Sequence, residues 1–260
     1  MIKVVAGALG FLGALVAHDL AIQTLRELPL RPLAGTCRNC GHGRGWLATQ
    51  CANCSQRVGR EWLFALIGAL MGVSFATLIG ANWALIPYLG FLTLTLALGI
   101  TDLDDFRIVD RLNLRGTAAL TVALALASVA DGTLPQMGRG LLGALAYFAG
   151  SNLVFFLAGG RGFGYGDVKL SAQLGLFTAF ISWGTLGWGV MITALIGALL
   201  SFGVLGFGLV AKSRARRKQE GGESSMKEVM QTELPYGPAM ILGAWISLTL
   251  AGLGAFPLPT

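Results

Sequence analysis

Long apolar runs alternate with short polar stretches along this chain. Eight runs, roughly 3–23, 62–80, 83–101, 115–131, 139–158, 168–187, 189–211 and 236–256, approach the ~20 residues that a helix needs to cross a bilayer. The sixth and seventh are nearly continuous, and a turn is expected between Ser182 and Gly189. Polar segments occupy 24–61, 102–114, 159–167 and 212–235, and the other connections are short and almost uncharged. The pattern predicts an all-α polytopic membrane protein of about eight transmembrane helices embedded in a lipid bilayer.

Composition agrees. Hydrophobic residues make up 54% of the 260 positions and charged residues only 12%, against about 25% charged in a soluble domain. The 38 glycines suit helices that pack through small residues in lipid. The net charge of +6 resembles a nucleic-acid signal, but its distribution has another cause. Of 19 lysines and arginines, all but Lys3 and Arg139 lie in or beside the four polar segments. With eight spans these segments share one side, and the positive-inside rule makes that side the cytosol. No nucleic-acid partner is expected.

Lys3 before an apolar run resembles a signal peptide, but the run lacks a clean small-x-small exit and reads as a retained span. Residues 1–23 are thus expected to form a first transmembrane helix, 24–61 a cytosolic loop, and 62–260 a seven-helix membrane core. His18 and Asp19 read as a polar helix end reaching the interface, with proximity to the active site as the alternative. Residues 212–233, basic and then acidic around Gly221-Gly222, read as a solvated loop.

All four cysteines fall in one polar segment, as Cys37-x-x-Cys40 and Cys51-x-x-Cys54 with ten residues between the pairs. Two such knuckles can close a tetrahedral thiolate site for structural zinc, and four thiolates leave no position open for catalysis. Disulfides are disfavoured in a reducing cytosol. Gly41, Gly43 and Gly45 make the tight reversal feasible. The expected product is a small cytosolic four-cysteine, zinc-ribbon-like metal-binding loop.

Five acids, Asp102, Asp104, Asp105, Asp110 and Asp167, lie at predicted cytosolic helix ends. An acid at the mouth of a membrane helix is costly, so a function is the default expectation. Two neighbouring carboxyls sharing one proton can hydrolyse a peptide, one activating water and the other polarising the carbonyl. Asp102 and Asp167 are the expected pair. Read structurally, Asp167 is a helix N-cap and 102–110 a solvated capping loop. Gly164 and Gly166 are expected to admit a close-approaching backbone beside Asp167. With only His18 and His42, and neither Gly-x-Ser-x-Gly nor His-Glu-x-x-His, the chain offers no competing nucleophile or zinc-protease motif.

These residues carry a family resemblance. Gly164-Tyr165-Gly166-Asp167-Val168-Lys169-Leu170, Asp102 with Asp110 eight positions on, the paired cysteine knuckles after the first span, and Pro235-Tyr236-Gly237-Pro238 before the last together resemble the bacterial prepilin peptidases. These are the type IV leader peptidase group of GxGD membrane aspartyl proteases. The resemblance covers nearly the whole chain. Val109 stands where the family usually has proline, the cysteine spacer is about half the usual length, and the first span lacks the family's Gly-Ser-Phe.

The resemblance implies cleavage of short basic leader peptides from type IV prepilins or type II secretion pseudopilins. The site would face the cytosol at the bacterial inner (plasma) membrane. In many members the new N-terminus is also methylated with S-adenosylmethionine, and the cysteine-loop departures fall in the part associated with that step. By position Asp102 and Asp167 would be the catalytic pair, with Asp104, Gly164, Gly166 and Lys169 adjacent. Asp104 stays open as the first acid, although the spacing to Asp110 favours Asp102. Two other classes compete: a non-enzymatic transport or assembly protein, which would place acids at mid-membrane, and a zinc-ribbon membrane adaptor.

Overall fold

The computed structural model describes residues 1–28, 35–37, 39–42, 50–55, 60–159, 164–216 and 236–255. Among the described residues eight helices follow in order: α1 (Ile2–Leu25), α2 (Arg60–Ile79), α3 (Leu85–Asp105), α4 (Asp110–Ala130), α5 (Leu134–Leu157), α6 (Tyr165–Ile181), α7 (Trp183–Arg216) and α8 (Tyr236–Gly252). Six of them, α1 to α5 and α7, are long and apolar enough to cross a membrane. Helices α6 and α8 have 17 residues each, at the short end of the spanning range. The protein is an all-α polytopic membrane protein.

The boundary between the sixth and seventh runs differs from the expected turn. α6 stops at Ile181 and α7 starts at Trp183. The hydroxyl of Ser182 accepts the Thr185 N–H at 2.9 Å, a serine N-cap that restarts the helix after a single residue. Gly184 and Gly187 then lie inside α7. The expected loop over 212–235 begins as a continuation of α7 to Arg216, and 217–235 lie outside the described residues. So do 160–163 and, within the 24–61 loop, 29–34, 38, 43–49 and 56–59. Gly43, Gly45 and the proline at position 235 are therefore outside the description.

Small residues bring the helices together. A Cβ at Gly10 would collide with the Gly68 carbonyl, fixing α1 against α2. One at Gly143 would collide with Ala179, and one at Gly243 with Thr193. The same device therefore joins α5 to α6 and α7 to α8. In the centre, Phe91 of α3 stacks on Phe177 of α6 with ring centroids 4.4 Å apart. The Tyr88 hydroxyl donates to the Phe177 carbonyl at 2.6 Å. α3 is the most enclosed span, 72% buried over its apolar window, against 22% for α4 and 17% for α5. The inner helices α3, α6 and α8 are the ones that carry the site described next.

Arg139, one of the two basic residues outside the polar segments, has a local task. Its guanidinium donates to the carbonyls of Ala179, Phe180 and Ile181 at 2.7, 2.5 and 2.6 Å. The last carbonyls of a helix have no intrahelical partner, and a cation also complements the dipole there. Arg139 thereby fixes α6 at the end opposite Asp167.

Candidate active site

Asp102 lies in the last turn of α3. The helix closes at Phe106, whose left-handed backbone (φ 53) turns its N–H back to the Asp102 carbonyl. Residues two apart on an α-helix point about 200° away from each other, so Asp102 and Asp104 cannot serve one place. Asp104 and Asp105 line a hollow with Ile22 and Leu25 of α1 and the Arg26 that follows it. Asp102 turns inward and is only 5% exposed.

Asp167 reaches the same depth from α6. Gly164 is the N-cap and Asp167 the third helical residue, so it is not the N-cap that its sequence position suggests. Its Oδ2 accepts the Gly164 N–H at 3.0 Å, while its own N–H donates to the Gly164 carbonyl at 3.0 Å. Glycine has no side chain to return a bond, so this is the carboxylate half of a capping box. One carboxylate oxygen is thereby committed to starting the helix. The other, Oδ1, is buried and has no hydrogen-bond partner, and the same is true of Asp102 Oδ2.

Those two unpaired oxygens face one point. A Cβ placed on Gly237, the second residue of α8, would sit 2.8 Å from Asp102 Oδ2 and 3.1 Å from Asp167 Oδ1. The two oxygens are therefore at most about 6 Å apart, by the triangle those distances form. Buried polar atoms are normally satisfied, so two facing orphan acceptors mark a place for a hydrogen-bonding group such as water or a peptide carbonyl.

The neighbouring glycines and lysine have other tasks. A Cβ on Gly166 would lie 2.9 Å from the Ile108 Cβ, so the bare backbone at 166 lets the 106–109 turn close onto α6. That close approach is made by Ile108 of the same chain. Gly164 has an ordinary negative φ of −76 and room around it. Lys169 donates to Asp110 Oδ2 at 2.6 Å, with its ammonium 5.4 Å from the centre of the Tyr165 ring. It joins α6 to the first turn of α4.

The four cysteines form a second centre. The Sγ atoms of Cys37, Cys40, Cys51 and Cys54 all lie within 4.8 Å of one another. Cys37 and Cys54 are 3.6 Å apart, and Cys40 and Cys51 are 3.5 Å apart, far beyond the ~2.05 Å of a disulfide. Tetrahedral zinc with Zn–S of ~2.3 Å places its sulfurs about 3.8 Å apart, so this donor set fits such an ion. The Gly41 N–H donates to the Cys37 carbonyl and the Ser55 N–H to the Cys51 carbonyl, each at 2.8 Å, giving each pair a similar turn. Hydrogen bonding from the His42 backbone draws the Cys40 thiol down to about 6, against the opposing effect of its partial burial. A thiol of that kind is ready to lose its proton to a metal.

Two contributors escaped the sequence. Gly237 was visible only as part of a proline-glycine-proline helix entry. Asp19 was read as an interfacial helix end, but it is 4% exposed and accepts the backbone N–H groups of Gly35 and Thr36, both at 2.7 Å. Only the spacing of Asp19 to a glycine-bearing loop sixteen residues on hinted at this, and loop closure is not readable from periodicity.

Residues 89–207, which contain Asp102 and Asp167, match the type IV leader peptidase family. Three similar curated proteins are each named prepilin leader peptidase/N-methyltransferase. The one from Aeromonas hydrophila is 26% identical over 207 residues, 78% of this chain and 63% of that protein. The one from Pseudomonas aeruginosa is 28% identical over 228 residues, 82% and 70% of the respective chains. The one from Burkholderia pseudomallei is 29% identical over 229 residues, 82% and 65%. This chain thus spans 63% of the length of the Aeromonas hydrophila relative. No solved structure matches it. Over residues 89–207 this chain is therefore similar to the type IV leader peptidases, and over most of its length to these three proteins.

Proposed function

We propose that the protein is a membrane aspartyl endopeptidase that removes short basic leader peptides from type IV prepilins or type II secretion pseudopilins. The observation that carries this reading is the pair of unpaired oxygens on Asp102 and Asp167 turned toward Gly237. The two carboxyls share one proton, because like charges this close do not both ionise. The ionised partner takes a proton from water, whose oxygen attacks the scissile carbonyl carbon. The protonated partner gives its proton to the carbonyl oxygen. Collapse of the resulting gem-diol breaks the C–N bond: one of its hydroxyls returns a proton to the second carboxylate, and the proton gained by the first carboxyl passes to the departing amine.

Their position at helix ends, beside the polar connections where basic residues gather, supports a site at the cytosolic face of the bacterial inner membrane. The cysteine centre is assigned to structural zinc, held by Cys37, Cys40, Cys51 and Cys54. It supplies rigidity to the loop and takes no part in hydrolysis.

Membranes containing the protein, mixed with a tagged prepilin, should release the leader at one bond, read by mass spectrometry of both products. An intact prepilin after prolonged incubation would contradict the proposal. Adding S-adenosylmethionine with a labelled methyl group in the same assay measures the second activity in the relatives' names.

A further inference from the structure

Asp19 and Gln23 of α1 and its C-cap residue Arg26 are spaced i, i+4 and i+7 and therefore share one face of the helix. Each is bonded to the first half of the cysteine loop. Asp19 takes the N–H groups of Gly35 and Thr36 at 2.7 Å. Gln23 Nε2 donates to the Thr36 hydroxyl at 3.0 Å. Arg26 donates to the Asn39 carbonyl at 2.8 Å. Thr36 immediately precedes Cys37, and Asn39 immediately precedes Cys40, so the contacts fall beside both thiols of the first knuckle.

Asp19, Gln23 and Thr36 are all at least 96% buried. A buried carboxylate with both oxygens aimed at loop amides is expensive to build and strong once satisfied. Nothing in the reaction proposed above uses it. Arg26, at the end of this face, also lines a hollow with Asp104 and Asp105 of α3, the helix that carries Asp102.

We infer that this α1 strip is a positioning device for the metal centre: Asp19 and Gln23 hold the backbone at Thr36 so that Cys37 and Cys40 are pre-oriented toward the ion, and the loop is docked on the membrane helix. The inference rests on the assignment of the cysteines to zinc. It requires that metal retention depend on residues buried in α1 that cannot themselves reach the ion.

The test is zinc release from the detergent-solubilised full chain to a chromophoric chelator, followed for the wild type and for Asp19→Asn, Thr36→Val and Lys3→Gln. In Asp19→Asn one amide N–H loses its acceptor and meets an NH2 group, so release should accelerate about tenfold or more. Thr36→Val removes the Gln23 bond alone and should accelerate it about threefold. The control Lys3→Gln, exposed at the opposite end of α1, should match the wild type. With Co(II) in place of zinc, the thiolate charge-transfer band should be retained in all variants but decay faster in the first two. A wild type that takes up no metal would defeat the zinc assignment itself. A wild type that binds zinc while Asp19→Asn and Thr36→Val release it at the wild-type rate would overturn the positioning role alone. If Asp19→Asn does not accumulate, unchanged release from Thr36→Val overturns it as well.

Discussion

Asp102 Oδ2 and Asp167 Oδ1 are both buried, both without a hydrogen-bond partner, and both within about 3 Å of the Cβ position that Gly237 lacks. The relationship joins three helices far apart in sequence. It also makes Gly237 a measure of how tightly the site is built. Gly237→Ala would insert a methyl group 2.8 Å from one oxygen and 3.1 Å from the other, forcing at least one carboxyl aside. Displacements of this order cost up to about a hundredfold in rate. Leader cleavage should fall by at least about tenfold while helix content by circular dichroism is unchanged, and Gly237→Val should fall further.

Gly166→Ala should act through the turn instead. The added methyl would meet Ile108 at 2.9 Å and push the 106–109 segment away from α6, lowering stability by ~1–3 kcal/mol. Trimming the neighbour in the double variant Gly166→Ala, Ile108→Ala should recover part of the loss. Thermal unfolding in detergent reads both.

The Lys169–Asp110 pair is short at 2.6 Å, but the Asp110 side chain is 54% exposed, and exposed ion pairs contribute little. Lys169→Met and Asp110→Asn should each lower stability by less than ~1 kcal/mol. A double-mutant cycle should give a coupling that shrinks as salt is raised. Cleavage should persist in both.

Arg139 is the converse case. Three carbonyls at the end of α6 depend on one guanidinium. Arg139→Ala should cost ~2–4 kcal/mol, read as a lower melting temperature. Arg139→Lys should recover only part, because an ammonium cannot reproduce the planar fork.

These cases also show what a reader of the sequence could reach. The run lengths gave the all-helical membrane architecture, and the charge distribution grouped the acids at one end. The cysteine spacing announced a four-thiol cluster, because a local turn is enough to build each half. Contacts that depend on how helices cross were not accessible. Nothing local ties Gly237 to Asp102, which is 135 positions away. Arg139 looked like an exception to the charge rule until the α6 carbonyls were seen beside it. Asp167 looked like an N-cap because helix starts are soft by a few residues, and the structure begins α6 at Tyr165. Asp19 looked interfacial because its partners are backbone amides, which carry no sequence signature.

The central claim is that two aspartates perform the hydrolysis together. Its most direct test is the rate of leader release from a tagged prepilin by Asp102→Asn and Asp167→Asn, each purified in amounts and with a melting temperature matching the parent. The account predicts that either substitution alone abolishes detectable cleavage, while Asp104→Asn and Asp105→Asn retain it. Cleavage at the parental rate by both Asp102→Asn and Asp167→Asn would contradict it.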